Sequence, residues 1–191
     1  MNILTDELPV TVAIGTTEYK VNYDFRVCLK IIMAFEDNEL TPQEKQIILL
    51  SSLYPKLPPD TEQALERAHW FLNGGVTGTN ESDGLRLYSI AKDANFIFAA
   101  FKQTHGIDLQ DTDLHWWKFL ALFMDLGQDT TFCQLISLRK RLAKGTASKE
   151  EQQAADEMGE LINVPQIDDR TLEEKEQEAE FMRLVEMASK K

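Results

Sequence analysis

The chain has 191 residues and is strongly acidic, with 32 Asp and Glu against 20 Lys and Arg and a net charge of −12. Binding to nucleic acid needs a basic footprint that displaces counterions from phosphates, so this balance argues against DNA or RNA as a partner. The two cysteines, Cys28 and Cys133, match neither a disulfide nor a zinc spacing and read as small buried hydrophobes in a reducing compartment.

The opening MNILTDELPV has neither the basic nor the apolar region of a signal peptide, and no apolar run is long enough to span a bilayer; a cytoplasmic protein is expected. Residues 10–22 alternate apolar and polar on either side of Gly15-Thr16-Thr17, which predicts a β-hairpin. Val10, Val12 and Ile14 would point one way to meet Tyr19 and Val21. A lone hairpin is marginal in water, so its apolar face must lie on helices.

Asp24 is a candidate N-cap for a helix carrying Phe25, Cys28, Leu29, Ile32, Met33 and Phe35 and ending near Asp37-Asn38. Thr41-Pro42-Gln43-Glu44 combines a capping Thr, Pro at the first helical position and a Glu that closes a capping box. That helix carries Ile47, Ile48, Leu49, Leu50 and Leu53 and stops at Pro55. Asp60 caps the next, with a stripe of Ala64, Leu65, Ala68, Phe71 and Leu72, closed by Asn73-Gly74-Gly75. Residues 76–84, rich in Gly, Thr, Asn and Ser, read as a surface loop; no Gly-Lys-Ser/Thr follows its glycines, which argues against a phosphate loop.

A long helix is predicted over 87–105, with Leu87, Ile90, Ala91, Ala94, Phe98 and Phe101 on one face, Phe96, Ile97 and Ala100 widening it, and Gly106 as C-cap. Residues 114–126 are apolar at ten of thirteen positions, all the way round a helix, which predicts a segment buried on every side. A further helix from about Asp129 to Gly145 would turn Phe132, Leu135, Ile136, Leu142 and Ala143 inward. Its basic end, Arg139, Lys140, Arg141 and Lys144, complements the helix dipole. Ser148 with Glu151 opens a weakly apolar helix to about Val164, and Thr171 with Glu174 opens a last one with Phe181, Leu184, Val185 and Ala188. The fold expected is mainly α: a compact multi-helix domain over 1–145 around a buried central helix at about 113–126, with the hairpin at 10–22 and an acidic helical arm over 146–191.

Residues His105, Asp108, Asp111, Asp113 and His115 gather metal-ligand side chains in one link, but their spacing fits neither an EF-hand loop nor a zinc-hydrolase histidine pair. Acidic residues before a helix are ordinary dipole partners. With no nucleophile elbow, Cys-His pair or dinucleotide fingerprint either, no catalytic residue, cofactor or metal ligand is expected and the chain does not read as an enzyme. Trp116 and Trp117 leave their helix about 100° apart. Either both anchor the core, or one meets a partner, as tryptophans at interfaces do. On the second reading the candidate partner-binding residues are Trp116 and Trp117, with Phe181, Leu184 and Val185 of the arm.

The run DANFIFAAFKQTHGIDLQDTDLHWWKFLALFMDL, with LISLRKRLAKG after it and MNILTDELPVTVAIGTTEYKVNYDFR, YPKLPPD and WFLNGG before it, resembles the bacteriophage family called gene product fifteen. The similarity spans roughly residues 1–145. It implies a protein of long-tailed phages and prophages of Gram-positive bacteria, encoded beside the tape measure gene. By that analogy it implies a tail assembly chaperone that binds the tape measure protein in the host cytoplasm. The tail tube protein or a second assembly chaperone would be further partners, with no nucleic acid and no membrane involved and self-association open. A structural part of the tail or baseplate is the alternative, and a metal-dependent enzyme using the His/Asp link a distant one.

Overall fold

A computed structural model describes residues 2–76 and 85–166. The elements are β1 (Thr11–Ile14), β2 (Thr17–Lys20), α1 (Phe25–Glu36), α2 (Pro42–Leu53), α3 (Thr61–Leu72), α4 (Ala94–His105), α5 (Trp116–Met124), α6 (Thr131–Ala143) and α7 (Lys149–Met158), with a 3-10 turn at Gly159–Leu161. The chain is thus mainly helical with an N-terminal antiparallel hairpin, as its patterning predicts. The expected last helix from Thr171, with Phe181, Leu184 and Val185, lies outside the described residues, as does most of the 76–84 loop.

The hairpin pairs Val12 with Tyr19 and Ile14 with Thr17 around a two-residue loop. Gly15 takes φ +58 while Thr16 does not go positive, the pattern of a turn that matches strand twist. Val12 and Ile14 are buried where β1 meets α3, Val21 is buried as well, and Gly15 N–H donates to Gln63 Oε1 at 3.0 Å. Val10 does not join them; it is exposed, one residue before the ladder begins.

Helix starts follow local chemistry closely. Asp24, Thr41, Asp60, Thr130 and Ser148 each accept a hydrogen bond from the first turn, and both capping boxes close, Thr41 with Glu44 and Ser148 with Glu151. α1 packs on α2, α2 on α3, and α5 bridges α1 to α4, which in turn meets α6.

Four expectations are corrected. The helix predicted from residue 87 begins only at Ala94, because the preceding backbone is bound by side chains. Glu36 takes Ile90 N–H at 3.1 Å and Ser89 Oγ–H at 2.9 Å, and Arg139 takes the Leu87 carbonyl at 3.1 Å. The inner face of α4 is accordingly Ile97, Ala100 and Phe101, with Ala91 and Ala94 outside. α7 stops at Met158 rather than near Val164, since Gly159 turns to φ +53. In α2 the inward residues are Lys45, Leu49 and Leu53, and Ile47 faces solvent; in α6 Leu138 and Arg139 are buried while Ala143 is exposed.

The fourth concerns the central helix. α5 does sit centrally, and Phe119 is its pivot: its ring stacks on Phe25 of α1 at 5.2 Å, on Phe101 of α4 at 4.9 Å, and on Trp116 and Phe123 of its own helix. It is not buried all round, however. Lys118 and Ala121 are exposed and Met124 is 86% exposed, so one side of α5 reaches the surface.

Candidate functional site

The uncommon His-Trp-Trp run meets the end of α3. The last carbonyls of a helix lack intrahelical donors and need partners. Trp116 Nε1–H donates to the Leu72 carbonyl at 2.9 Å and Trp117 Nε1–H to the Phe71 carbonyl at 2.8 Å, so the paired indoles finish α3. Both rings are in the core, 3% and 6% exposed, and Trp117 lies so close to Gly75 that a Cβ there would come within 2.5 Å of its ring. The two tryptophans therefore join helices in this structure, with little of either ring exposed.

His115 caps α5 from the other side. Its Nδ1 accepts the Trp117 backbone N–H at 3.0 Å and its Nε2 lies 3.0 Å from the Pro9 carbonyl, which can only accept. The ring is therefore the neutral tautomer with its proton on Nε2. Burial holds its pKa below the ordinary 6.5, the charge of Lys118 adds to that, and the Pro9 contact opposes it. As pH falls through 6.5 the unfolded chain takes up a proton that the folded chain refuses, so folding stability drops between 6.5 and the lowered value and then levels off. Urea unfolding at pH 7.5 and 5.5 is expected to lose more stability for the native chain than for His115→Asn, whose amide oxygen keeps the cap without titrating. Equal losses in the two proteins would show that this ring is not the cause.

Three arginines carry the largest concentration of polar order, and only one of them stood out in the sequence, as part of a helix-end cluster. Arg139 uses all five of its N–H groups: Nη1 and Nη2 bind Asp93 at 2.7 and 2.9 Å, and the rest go to the carbonyls of Leu87, Leu161 and Ile162. Both side chains of that pair are almost fully buried. Arg86 pairs with Glu36 and donates to the Tyr88 and Pro165 carbonyls, while Arg26 gathers the Leu109, Gln110 and Thr112 carbonyls. These clamps fix the irregular stretches that no ladder or helix secures. Their charges are spent internally, so they form no open anion site.

The His/Asp link is occupied in the same way. His105 Nε2–H donates to the Leu122 carbonyl at 2.9 Å, Asp108 accepts Gln110 N–H and pairs with Lys102 at 3.5 Å, and Asp113 is 4.0 Å from Arg26. Among the described residues no group of three or more His, Cys, Asp or Glu side chains is placed to hold a metal ion, and no helix is long and apolar enough to cross a membrane. The Cys28 thiol is buried, which together with the nearby Asp24 charge pushes its pKa up to about 12, far from nucleophilic readiness.

What remains is concave apolar surface. A groove of about 660 Å³ is floored by Trp116, Phe119, Leu120 and Phe123 and walled by Leu29, Ile32, residues 85–88 and Ile90. Trp116 thus reaches this groove by its edge while staying anchored. A second cleft, of about 480 Å³, lies between α6 and α7 and is lined by Phe96, Leu135, Leu138, Ala154, Met158 and Leu161 among others. Such surfaces receive helices and apolar segments of other proteins.

The model of the family described as Bacteriophage Gp15 protein matches residues 4–164. No curated protein and no solved structure matches the chain. The matched span takes in the hairpin, every helix among the described residues, the tryptophan joint and all three arginine clamps. The chain belongs to the Bacteriophage Gp15 family, and is a phage structural or morphogenesis protein.

Proposed function

We propose that the protein is a tail assembly chaperone that binds the tape measure protein in the host cytoplasm and keeps that long helical chain from aggregating until tube subunits enclose it. The family match over residues 4–164 supports this reading, because an assembly chaperone falls within the class of phage structural or morphogenesis proteins. Two features support a binding role over a catalytic one. The reactive side chains are engaged in structure, His105 and His115 by carbonyls and Cys28 by burial. The surface instead offers apolar concavities on a body of net charge −12, a combination that holds sticky segments while keeping the complex soluble. The tube protein and a second chaperone are further partners on this reading, and self-association is compatible with it. Phe181, Leu184 and Val185 stay candidate contact residues.

Co-expression with the tape measure protein of the same phage is expected to raise that protein's soluble yield and give a complex that survives size-exclusion chromatography. Unchanged solubility without a complex overturns the proposal. A stoichiometric signal for this chain in purified virions by mass spectrometry would assign it to the finished tail instead.

A further inference from the structure

The groove beside α5 is bordered by large apolar side chains that are only half-buried, Leu29 and Ile32 of α1, Leu120 and Phe123 of α5 and Ile136 of α6, with Leu85 exposed at its rim. The two charged groups in its wall, Glu36 and Arg86, pair with each other, so the groove favours apolar groups and selects neither sign of charge. The chain leaves the described residues at this same place. Gln166 lines the groove and is fixed there by its side-chain amide, which accepts from the Arg86 backbone N–H and donates to the Arg86 carbonyl, each at 3.3 Å. The Gln166 carbonyl accepts from Asn38 Nδ2 at 3.0 Å, and the Pro165 carbonyl from Arg86 Nη1 at 3.1 Å. Residues 167–191 follow, and their sequence predicts a helix opened by Thr171 and Glu174 with Phe181, Leu184, Val185 and Ala188 on one stripe. A lone helix of that length is marginal in water, so the stripe needs a surface to lie on.

We propose that the groove beside α5 seats the chain's own C-terminal stripe, Phe181, Leu184, Val185 and Ala188. Residues 167–180 span between about 20 Å as helix and about 45 Å extended, enough to bring the stripe back onto the groove from Gln166. The tether holds the stripe at an effective concentration on the order of millimolar. A contact too weak to keep a free peptide is therefore occupied here, and a second copy of the chain competes poorly in dilute solution. The α6–α7 cleft is the poorer seat, because no described residue beyond Leu161 lines it, whereas Gln166 stands in the wall of the α5 groove. An apolar segment of another protein enters this groove only by displacing the chain's own. That such a segment belongs to the tape measure protein rests on the chaperone reading; the seat does not.

The test uses the full chain with a photo-crosslinking benzoylphenylalanine in place of Leu184, irradiated in dilute solution and read by mass spectrometry of the cross-linked peptides. The expected product is a cross-linked monomer joined to α1, α5 or residues 85–88. Leu85→Glu, which puts a charge at the exposed rim, should cut that yield about threefold or more. In the chain without the crosslinker, the combined F181S, L184S and V185S should uncover the groove and raise the fluorescence of added ANS about threefold or more. Cross-links confined to other surfaces, no cross-link, or a yield indifferent to Leu85→Glu overturns the seat. A covalent dimer as the main product gives the groove to a second copy's stripe and overturns the arrangement within one chain. An ANS signal unchanged by the triple variant overturns the claim that the stripe covers the groove. All of these are read without a partner protein, so a tape measure protein left insoluble by the native chain overturns the chaperone reading alone.

Discussion

Arg139→Ala is expected to destabilise the folded protein by about 3–5 kcal/mol, the usual cost of leaving one member of a buried ion pair behind. The Asp93 carboxylate is fully buried and receives two guanidinium donors, so the variant strands a charge in the core. It also frees the Leu87, Leu161 and Ile162 carbonyls, through which Arg139 holds the approach to α4 and the turn after α7. Against a typical total of 5–15 kcal/mol, that loss leaves a protein that still folds at low temperature but melts early. Arg139→Met combined with Asp93→Leu removes both charges and keeps most of the volume, and should recover a large part of the loss. Urea unfolding of the three variants checks this. A cost below about 1 kcal/mol for Arg139→Ala, or a double variant no better than the single one, would mean that the pair is not the clamp described.

Phe119→Ala is the second large effect, at about 3–5 kcal/mol for an aromatic truncated in a close-packed core. Its ring is stacked on four others drawn from α1, α4 and α5, and is almost fully buried. Removing it opens a cavity where three helices meet, with little chance of collapse because Trp116 is tethered to the Leu72 carbonyl. Met124→Ala, on the same helix but facing solvent, is the control and should change stability by less than about 0.5 kcal/mol. Thermal melts that place the two variants within a few degrees of each other would rule out the pivot role of Phe119.

What the sequence by itself determined is local. Cap chemistry at Asp24, Thr41, Asp60 and Ser148 placed four helix starts, Gly106 placed one end, and the alternation over 10–22 placed the hairpin found at 11–20, because each depends on backbone groups a few residues apart. The joint between the tryptophans and the end of α3 was half legible. An unusual WFLNGG segment and an unusual His-Trp-Trp segment stood out separately, and only the fold shows that they bind each other.

Tertiary structure decided everything governed by distant partners. Arg139 reads as an ordinary dipole cation until Asp93 arrives from 46 positions away. The helix predicted over 87–105 is shortened because Glu36 and Arg139 claim its first turns with stronger, charge-assisted bonds. The apolar circumference of α5 overstated its burial, since composition gives the hydrophobicity of each face but not which faces find a neighbour. The cleft under α7 was equally hidden. Ala154 in a weakly apolar helix looks unremarkable in a sequence, and lines an opening only once the Arg141–Glu151 pair and the Arg139–Leu161 bond hold that helix beside α6.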